Sequence, residues 1–312
     1  MKPSRRLATD FVSHSFRVPS QNGGVIPAAN IRPIFAYNQA MSARNLALEI
    51  NARNQLRSRS YDHEQTSSAT PSILYREAQD SHGNFYPCAW RAIQRNPAWR
   101  ARLDKTYTAS SHIPRGNERW RGELECATSS DALLMNIFCS PSTLRSTSLR
   151  SLLNLDTTVK PHFGWRPRTA LHGDLDDRTE IDMRLGNLFV EAKLCESDFQ
   201  AGRPDLMARY PLFAETFDLA VLPRKQNSFR SYQLLRGVLA AVEHDARFCL
   251  MCDARRPDLI ALWFQVLSAV RLSSVRSRLQ FVTWQEIGVT LPRPLQTFLA
   301  EKYGINSRSQ ID

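Results

Sequence analysis

Residues 179–195 read TEIDMRLGNLFVEAKLC, and this stretch decides the fold that the sequence predicts. Gly186-Asn187 is a tight-turn dipeptide, and apolar and polar residues alternate on both sides of it, which is the usual short-range signal for a β-hairpin. A two-residue loop fixes the pairing register. The predicted cross-strand pairs are Leu185 with Leu188, Met183 with Val190, and Asp182 with Glu191.

The two faces of the predicted hairpin differ sharply, because successive side chains of a strand point to opposite faces. One face is entirely apolar and consists of Ile181, Met183, Leu185, Leu188, Val190, Ala192 and Leu194. The other face carries Glu180, Asp182, Arg184, Phe189, Glu191, Lys193 and Cys195. We therefore expect the first face to pack on a core and the second, mostly polar face to meet solvent.

The polar face places two carboxylates opposite each other. Asp182 and Glu191 would have Cβ atoms about 4.5–5.5 Å apart, and like charges in that position are destabilising. A divalent cation removes the conflict, since Mg²⁺ is commonly held by one or two carboxylates together with waters and substrate phosphate. Lys193 projects from the same face beside the proposed ion.

An acid pair with an adjacent ammonium group suits phosphodiester hydrolysis. The metal polarises the phosphate and lowers the pKa of a bound water, and the lysine positions that water or neutralises developing charge. The pattern is short, however, and arises often by chance. A solvated charged face in which Glu180 and Lys193 pair across the strands explains the same residues.

Composition and charge favour a globular protein with a polyanionic partner. The chain has 312 residues, 42% hydrophobic and 23% charged, which suffices for one large or two modest domains. Its formal net charge is +11, and such a balance makes nucleic acid the first candidate partner. Many basic proteins bind no nucleic acid, so the charge supports this expectation without deciding it.

The cysteines and the hydropathy pattern point to a cytoplasmic protein. Six cysteines in a chain of this length do not form a disulfide framework. Cys249 and Cys252 have CxxC spacing, but they lie in an apolar run that is better explained as a buried strand than as a zinc or redox site. No apolar run approaches the roughly 20 residues of a membrane span, and the N-terminus has no apolar signal core.

The first third of the chain is predicted to lie outside the main domain. Residues 1–70 are rich in Ser, Arg, Asn, Gln and Pro and are interpreted as a partly disordered or weakly structured basic extension, with some helical spacing at 40–56. This extension either adds phosphate contacts or has no role. Residues 71–120 are predicted to form an Arg/Trp-rich helical segment. Its arginines and tryptophans either stack on bases or, as we favour, cover the end of a core.

The remaining elements resemble a known nuclease core in their order. They are a Ser-capped helix at 129–139, a strand at 162–168, the hairpin at 179–195, a helix at 231–244 and a strand at 248–252. This order resembles the αβββαβ core of the PD-(D/E)XK restriction-endonuclease-like nucleases, an α/β fold with a mixed sheet. Asp182 stands where that family's strand aspartate stands, and Glu191-Ala192-Lys193 matches its ExK signature. The likeness places a nuclease-like domain at 121–305 and leaves 306–312 as a tail.

A second set of residues is similar to an uncharacterised bacterial branch of the same superfamily. These residues are Ser129-Ser130-Asp131 and Asn136, Glu191-Ala192-Lys193 with Glu196 and Phe199, Tyr232-Gln233 with Arg236, Thr283-Trp284-Gln285-Glu286, and Lys302-Tyr303-Gly304-Ile305. In that branch a glutamine is expected where Asp131 stands, so this chain departs from the branch on the first helix.

The resemblance implies roles for specific residues. Asp182, Glu191 and the Ala192 backbone carbonyl would hold Mg²⁺, with Mn²⁺ a plausible substitute, and Lys193 would be the catalytic lysine. Gln233 matches a glutamine on the second core helix that supports the site. Asp131 would be an extra metal ligand or a helix cap, and capping is favoured; Glu196 would lie near the site or pair with Arg203.

These inferences predict a cytoplasmic, Mg²⁺-dependent endonuclease that hydrolyses phosphodiester bonds in DNA. Two alternatives stay open: a catalytically inactive nuclease fold that acts as a DNA-binding or assembly module, and a basic protein whose acidic face docks a protein partner. The sequence leaves the oligomeric state undetermined.

Overall fold

The computed structural model of the chain describes residues 40–66, 71–106 and 122–306. The α-helices of these residues are α1 (Ala43–Ser58), α2 (Pro87–Arg95), α3 (Pro97–Arg100), α4 (Ser130–Phe138), α5 (Thr147–Leu152), α6 (Pro204–Met207), α7 (Phe213–Thr216), α8 (Tyr232–Glu243), α9 (Pro257–Ala269), α10 (Ser273–Arg276), α11 (Trp284–Val289) and α12 (Arg293–Tyr303). The strands are β1 (His63–Gln65), β2 (Ile73–Tyr75), β3 (Glu77–Ala78), β4 (Ser81–His82), β5 (Pro161–Trp165), β6 (Thr169–Leu171), β7 (Leu175–Asp177), β8 (Ile181–Leu185), β9 (Leu188–Ala192), β10 (Ala201–Gly202), β11 (Arg224–Lys225), β12 (Ser228–Arg230), β13 (Arg247–Cys252) and β14 (Leu279–Thr283).

A five-stranded mixed sheet with the order β14-β13-β9-β8-β5 organises the domain. Strands β9, β13 and β14 are parallel, whereas β8 is antiparallel to both β9 and β5. Helix α4 precedes β5, and α8 connects the hairpin to β13. The structure therefore confirms the predicted α/β class and the predicted order of helix, strand, hairpin, helix and strand.

The turn at 186–187 forms as the sequence predicts. Met183 pairs with Val190 and Leu185 pairs with Leu188. Gly186 has a φ of +58° at the first central position of the turn, which is where a type II′ turn takes glycine. The register of the hairpin thus follows from a backbone conformation that side-chain-bearing residues rarely adopt.

Both faces of β9 are buried, so the expectation of a solvated polar face is wrong. Every residue of β9 is buried. Its first face joins the core cluster that includes Met183 and Leu185, and Phe189 on its second face joins another cluster with Leu234 and Val238 of α8. The physical reason is that α8 packs on the second face. The alternation of apolar and polar residues in the hairpin does not show whether a distant helix will cover the polar face.

The apolar face of the hairpin departs from its predicted membership at one position. Ile181 belongs to the second cluster, with Phe189, and not to the cluster of Met183. The neighbouring β5 pairs Trp165 with Ile181 and Phe163 with Met183, and Gly164 between them has a φ of +62°. The change of face therefore coincides with a glycine kink in the adjacent strand.

The N-terminal elements pack on the sheet domain. Leu46 and Ile50 of α1 belong to the same core cluster as Leu299 and Tyr303 of α12. The described part of the predicted extension therefore contributes to the core, and residues 1–39 lie outside the described residues. Buried Lys302 of α12 donates from Nζ to Asn54 Oδ1 over 3.0 Å, which ties the two helices together.

The Arg/Trp-rich segment covers the end of a core where the structure describes it, in agreement with the favoured interpretation. Residues 71–82 form the short strands β2 to β4, and α2 and α3 follow them. Trp90 stacks on Phe85 with ring centroids 5.4 Å apart, and Trp99 donates from Nε1 to the Pro161 carbonyl over 3.0 Å. Trp120, Arg121 and the tail 307–312 lie outside the described residues.

Two further sequence interpretations concern the cysteines and the membrane. Cys249 and Cys252 are free thiols buried in β13, as the buried-strand interpretation predicts. Within residues 40–66, 71–106 and 122–306, no helix has both the length and the apolar character needed to cross a membrane.

The conformation of the turn makes a stability prediction. Gly186→Ala should destabilise the protein by about 1–2 kcal/mol, because alanine must adopt a left-handed conformation there, although its Cβ would meet only Val159 Cγ1 at 3.6 Å. Gly186→Asn should cost clearly less, since asparagine tolerates this region. Urea unfolding of both variants checks the order, and equal losses would show that the turn conformation is not the cause.

Candidate active site

Asp182, Glu191 and Lys193 come together at the end of the hairpin. Glu191 and Lys193 are 2% and 5% exposed, and Asp182 is half-buried. Lys193 Nζ lies 2.6 Å from Glu191 Oε1, and the Ala192 N–H donates to Asp182 Oδ2 over 2.7 Å. The three side chains that the sequence predicts to act together are therefore adjacent.

The backbone that carries Lys193 is fixed on both sides. Its N–H donates to the Met251 carbonyl of β13 over 2.8 Å, and its carbonyl accepts from Trp284 Nε1 over 2.8 Å. The Lys193 ammonium also lies 5.9 Å from the centre of the Phe199 ring. Residues of the second resemblance, Trp284 and Phe199, thus hold or cover the lysine.

The electrostatics of the site show an excess of negative charge. Burial raises the pKa of Asp182, and the Glu191 and Asp131 carboxylates raise it further, to about 8. Burial acts to lower the pKa of Lys193, but Glu191, Asp182 and Glu196 together raise it above its ordinary value. Lys193 is therefore an ammonium group at neutral pH. Asp182 binds a proton at neutral pH unless another cation compensates the charge of its carboxylate.

Two cations from the N-terminal segment complete the site, and sequence reasoning missed their role. Arg102 donates to Glu180 Oε1 over 2.9 Å and to Asp131 Oδ2 over 3.0 Å. Lys105 Nζ lies 2.6 Å from Asp131 Oδ2 and 3.3 Å from Glu180 Oε1. In the sequence Arg102 is only one arginine of an Arg/Trp-rich segment, and no signal pairs it with acids far along the chain.

Asp131 is not the cap of α4, the role favoured from the sequence, and its role as an extra metal ligand stays a prediction. The cap of α4 is Ser129, whose hydroxyl accepts from the Ala132 N–H over 3.1 Å. Asp131 is 4% exposed and binds Arg102 and Lys105. Burial acts to raise the pKa of Asp131, but these two cations hold it below its ordinary value. It is an ionised partner in a buried ion-pair network beside Asp182.

Glu196 lies near the site, and its alternative pairing with Arg203 does not occur. The Glu196 carboxylate accepts hydrogen bonds from the Ser130 hydroxyl and from the Leu194 N–H. Arg203 instead pairs with Asp205 at 2.7 Å. Glu196 therefore links the end of the hairpin to the start of α4.

Gln233 lies near the site at the start of α8. Its N–H donates to the Phe199 carbonyl over 3.0 Å, and its side chain is half-buried. Within the described part of the chain its side-chain amide makes no hydrogen bond to protein. Gln233 therefore contacts Phe199, whose ring lies near the Lys193 ammonium. The supporting role of the Gln233 side chain stays a prediction.

The donor set fits a hard divalent cation. Among the described residues, Asp182 Oδ1 and Glu191 Oε2 carry no hydrogen bond, whereas their other oxygens are engaged by Ala192 and Lys193. Arg102 and Lys105 pair with Asp131 and Glu180, and Lys193 contacts Glu191, whereas within the described residues no cation is in direct contact with Asp182. Oxygen ligands with this charge suit Mg²⁺.

A metal site built from three or more His, Cys, Asp or Glu side chains is absent from the described residues. The ligand set formed by Asp182, Glu191 and the Ala192 carbonyl has two side chains of these types and one backbone oxygen. Mg²⁺ usually keeps several waters and takes only one or two carboxylates from the protein, so the smaller set still fits this ion.

Comparison with known proteins identifies the family. A sequence model of the family described as Restriction Endonuclease associating with ARP matches residues 53–304. The chain belongs to this family. The matched range runs from within α1 to the end of α12, so it includes Arg102 and Lys105 as well as the hairpin. No curated protein and no solved structure matched the chain.

The ion-pair network and the acid pair predict opposite effects for two neutralising substitutions. Because the pKa of Asp182 rises on folding from its ordinary value of 3.8 to about 8, the metal-free protein loses stability as the pH increases through this window. Asp182→Asn should therefore raise the melting temperature in EDTA at pH 8, and the gain should shrink toward pH 4.

Asp131→Asn serves as the matched contrast. The pKa of Asp131 is lowered in the folded protein, so its charge stabilises the fold above pH 4 and this contribution is lost as the pH falls. The substitution should cost about 3 kcal/mol at pH 8, since it removes the buried charge that pairs with the half-buried cations Arg102 and Lys105. Destabilisation of the same size by both substitutions would contradict this account.

Proposed function

We propose that this chain is a Mg²⁺-dependent endonuclease that hydrolyses phosphodiester bonds in DNA with a PD-(D/E)XK site. The observation that carries the proposal is the convergence of Asp182, Glu191 and Lys193 at the end of β8 and β9, in a cluster with excess negative charge. Membership of the restriction-endonuclease family supports a nuclease role.

Each of the three residues has a distinct role in this proposal. Asp182, Glu191 and the Ala192 carbonyl would hold Mg²⁺, with Mn²⁺ as a substitute. When bound, the ion polarises the phosphate and lowers the pKa of a coordinated water. Lys193 is protonated and held against Glu191, so it orients groups around the reacting phosphate and stabilises developing negative charge.

The surrounding residues keep the acids in place. Arg102 and Lys105 pair with Asp131 and Glu180, so these two cations reduce the negative charge beside Asp182 and Glu191. Glu196 fixes the turn after Lys193 through Ser130 and Leu194. Gln233 supports the same segment from α8.

The substrate and partner follow from charge and family. The net charge of +11 favours a polyanion, and a restriction-endonuclease family makes DNA the substrate that we propose. The family description also names association with ARP, and we propose that this chain acts together with such a partner protein.

A catalytically inactive DNA-binding or assembly module is the second candidate. The engagement of Lys193 by Glu191 at 2.6 Å favours it, because a neutralised carboxylate is a poorer metal ligand. DNA binding that depends on salt but not on metal, with no cleavage, would distinguish this module from the enzyme.

Cleavage of supercoiled plasmid DNA in Mg²⁺ tests the enzyme directly. Asp182→Asn, Glu191→Gln and Lys193→Met should each reduce the cleavage rate by about 100-fold or more, since each removes a group that acts on the reacting phosphate. Lys160→Met and Asp174→Asn alter exposed residues outside the site and should cleave at the wild-type rate. Full activity in all three site variants would refute the assignment.

Metal binding has a readout that does not require activity. Mg²⁺ at about 100 times its Kd should stabilise the wild-type protein by about 2.7 kcal/mol, and the stabilisation should disappear in Glu191→Gln. Thermal unfolding with and without EDTA measures the effect, with the Asp174→Asn variant as the control. Equal stabilisation of Glu191→Gln would place the ion elsewhere.

A further inference from the structure

A small three-stranded sheet lies between β9 and α8 in the chain, and the site does not use it. Its order is β10-β12-β11. Strands β11 and β12 form a ribbon in which Arg224 pairs with Phe229 and Lys225 pairs with Ser228. The two-residue tip is Gln226-Asn227, and Gln226 has a φ of +53°. We call residues 224–230 the basic ribbon.

The basic ribbon is anchored on one face and exposed on the other. Phe229 is 2% exposed and packs edge-on against Phe213 with ring centroids 5.3 Å apart. Side chains alternate along a strand, so Lys225, Ser228 and Arg230 share the face opposite Phe229. Lys225, Arg230 and both tip residues are exposed.

The charge of this element is uncompensated. Residues 219–242 contain four basic side chains and no acidic one. Arg236 pairs with Asp177, but within the described residues Arg224, Lys225 and Arg230 form no ion pair. An exposed, unpaired set of cations on a fixed strand is the feature that binds the phosphate backbone of nucleic acids.

The root of the ribbon is attached to the candidate active site. Tyr232, which follows β12 after Ser231, donates from its N–H to the Gln200 carbonyl over 3.0 Å. The next N–H, of Gln233, bonds the Phe199 carbonyl, and the Phe199 ring lies 5.9 Å from Lys193 Nζ. Because α8 leads back to β13, which is parallel to β9, the start of α8 lies at the sheet end that carries the site.

The form of the ribbon suits the major groove of duplex DNA. The major groove is about 12 Å wide and admits a two-stranded β-ribbon. Glutamine and asparagine at the tip carry the paired donor and acceptor that read an adenine edge there.

We propose that the basic ribbon enters the major groove of duplex DNA beside the cleavage site, where Gln226 and Asn227 read base edges and Lys225 and Arg230 bind phosphates. This inference rests on the proposed function for its substrate, duplex DNA. It goes further by assigning recognition to residues 225–230, which lie outside the acid and lysine cluster.

Binding of the full-length protein to duplex DNA in EDTA tests the inference apart from cleavage. Lys225→Ala/Arg230→Ala should weaken binding to every sequence and reduce the slope of log K against log salt by about 2, because two phosphate contacts are lost. Arg276→Ala removes an exposed arginine of α10, which precedes β14 and lies at the opposite end of the parallel strands, and should leave affinity and slope unchanged.

Selection from a randomised duplex pool of about 30 base pairs, roughly three helical turns, tests base reading. The wild-type protein should enrich a base pattern, and Gln226→Gly/Asn227→Ala should lose the preference at one or two adjacent positions, with about tenfold weaker binding to the enriched sequence and an unchanged salt slope. Glycine at 226 retains the positive φ, and equal melting temperatures verify the fold.

The outcomes separate this inference from the proposed function. Ribbon variants that bind and select like the wild type, a wild-type protein that enriches no pattern, or equal affinity for single-stranded DNA would each overturn the ribbon assignment, even if plasmid cleavage requires Asp182 and Glu191. Ribbon-dependent selection by a protein that cleaves no DNA would support the ribbon assignment and reject the nuclease.

Discussion

Repulsion between two carboxylates at the end of a buried hairpin is the constraint around which the structure is arranged. Asp182 and Glu191 cannot both be ionised in a buried environment without compensation, and the pKa of Asp182, raised to about 8, expresses that cost. Lys193 offsets one charge by direct contact with Glu191. The remaining charge favours a further cation, and the proposed Mg²⁺ would compensate it and bring reactivity toward phosphate.

The elements around the hairpin supply cations to the neighbouring acids. Arg102 and Lys105 pair with Asp131 Oδ2 and Glu180 Oε1, which reduces the negative charge of these two acids. The placement of the two cations depends on α2 and α3, which pack through Trp90 and Trp99 on the sheet domain. The Arg/Trp-rich segment is therefore part of the site architecture, and the family match from residue 53 onward includes it.

Charge is separated within the molecule in a way that suits a polyanionic substrate. The cluster around Asp182 contains more acidic than basic side chains, whereas the chain as a whole carries a net charge of +11. The basic ribbon supplies basic residues at the same end of the sheet as the site. The acids of the site repel the phosphates of a nucleic acid. If the ribbon binds those phosphates, it would hold a phosphodiester near the acids in spite of this repulsion.

The sequence by itself determined the hairpin, its register, the Ser129 cap of α4 and the buried β13, because these depend on local alternation, turn chemistry and capping. It also brought Asp182, Glu191 and Lys193 to one face. Only the tertiary structure decided that α8 buries that face, that Arg102 and Lys105 reach Asp131, and that Glu196 bonds Ser130 instead of Arg203. Such contacts join residues tens of positions apart, and no local periodicity encodes which distant charge will meet which.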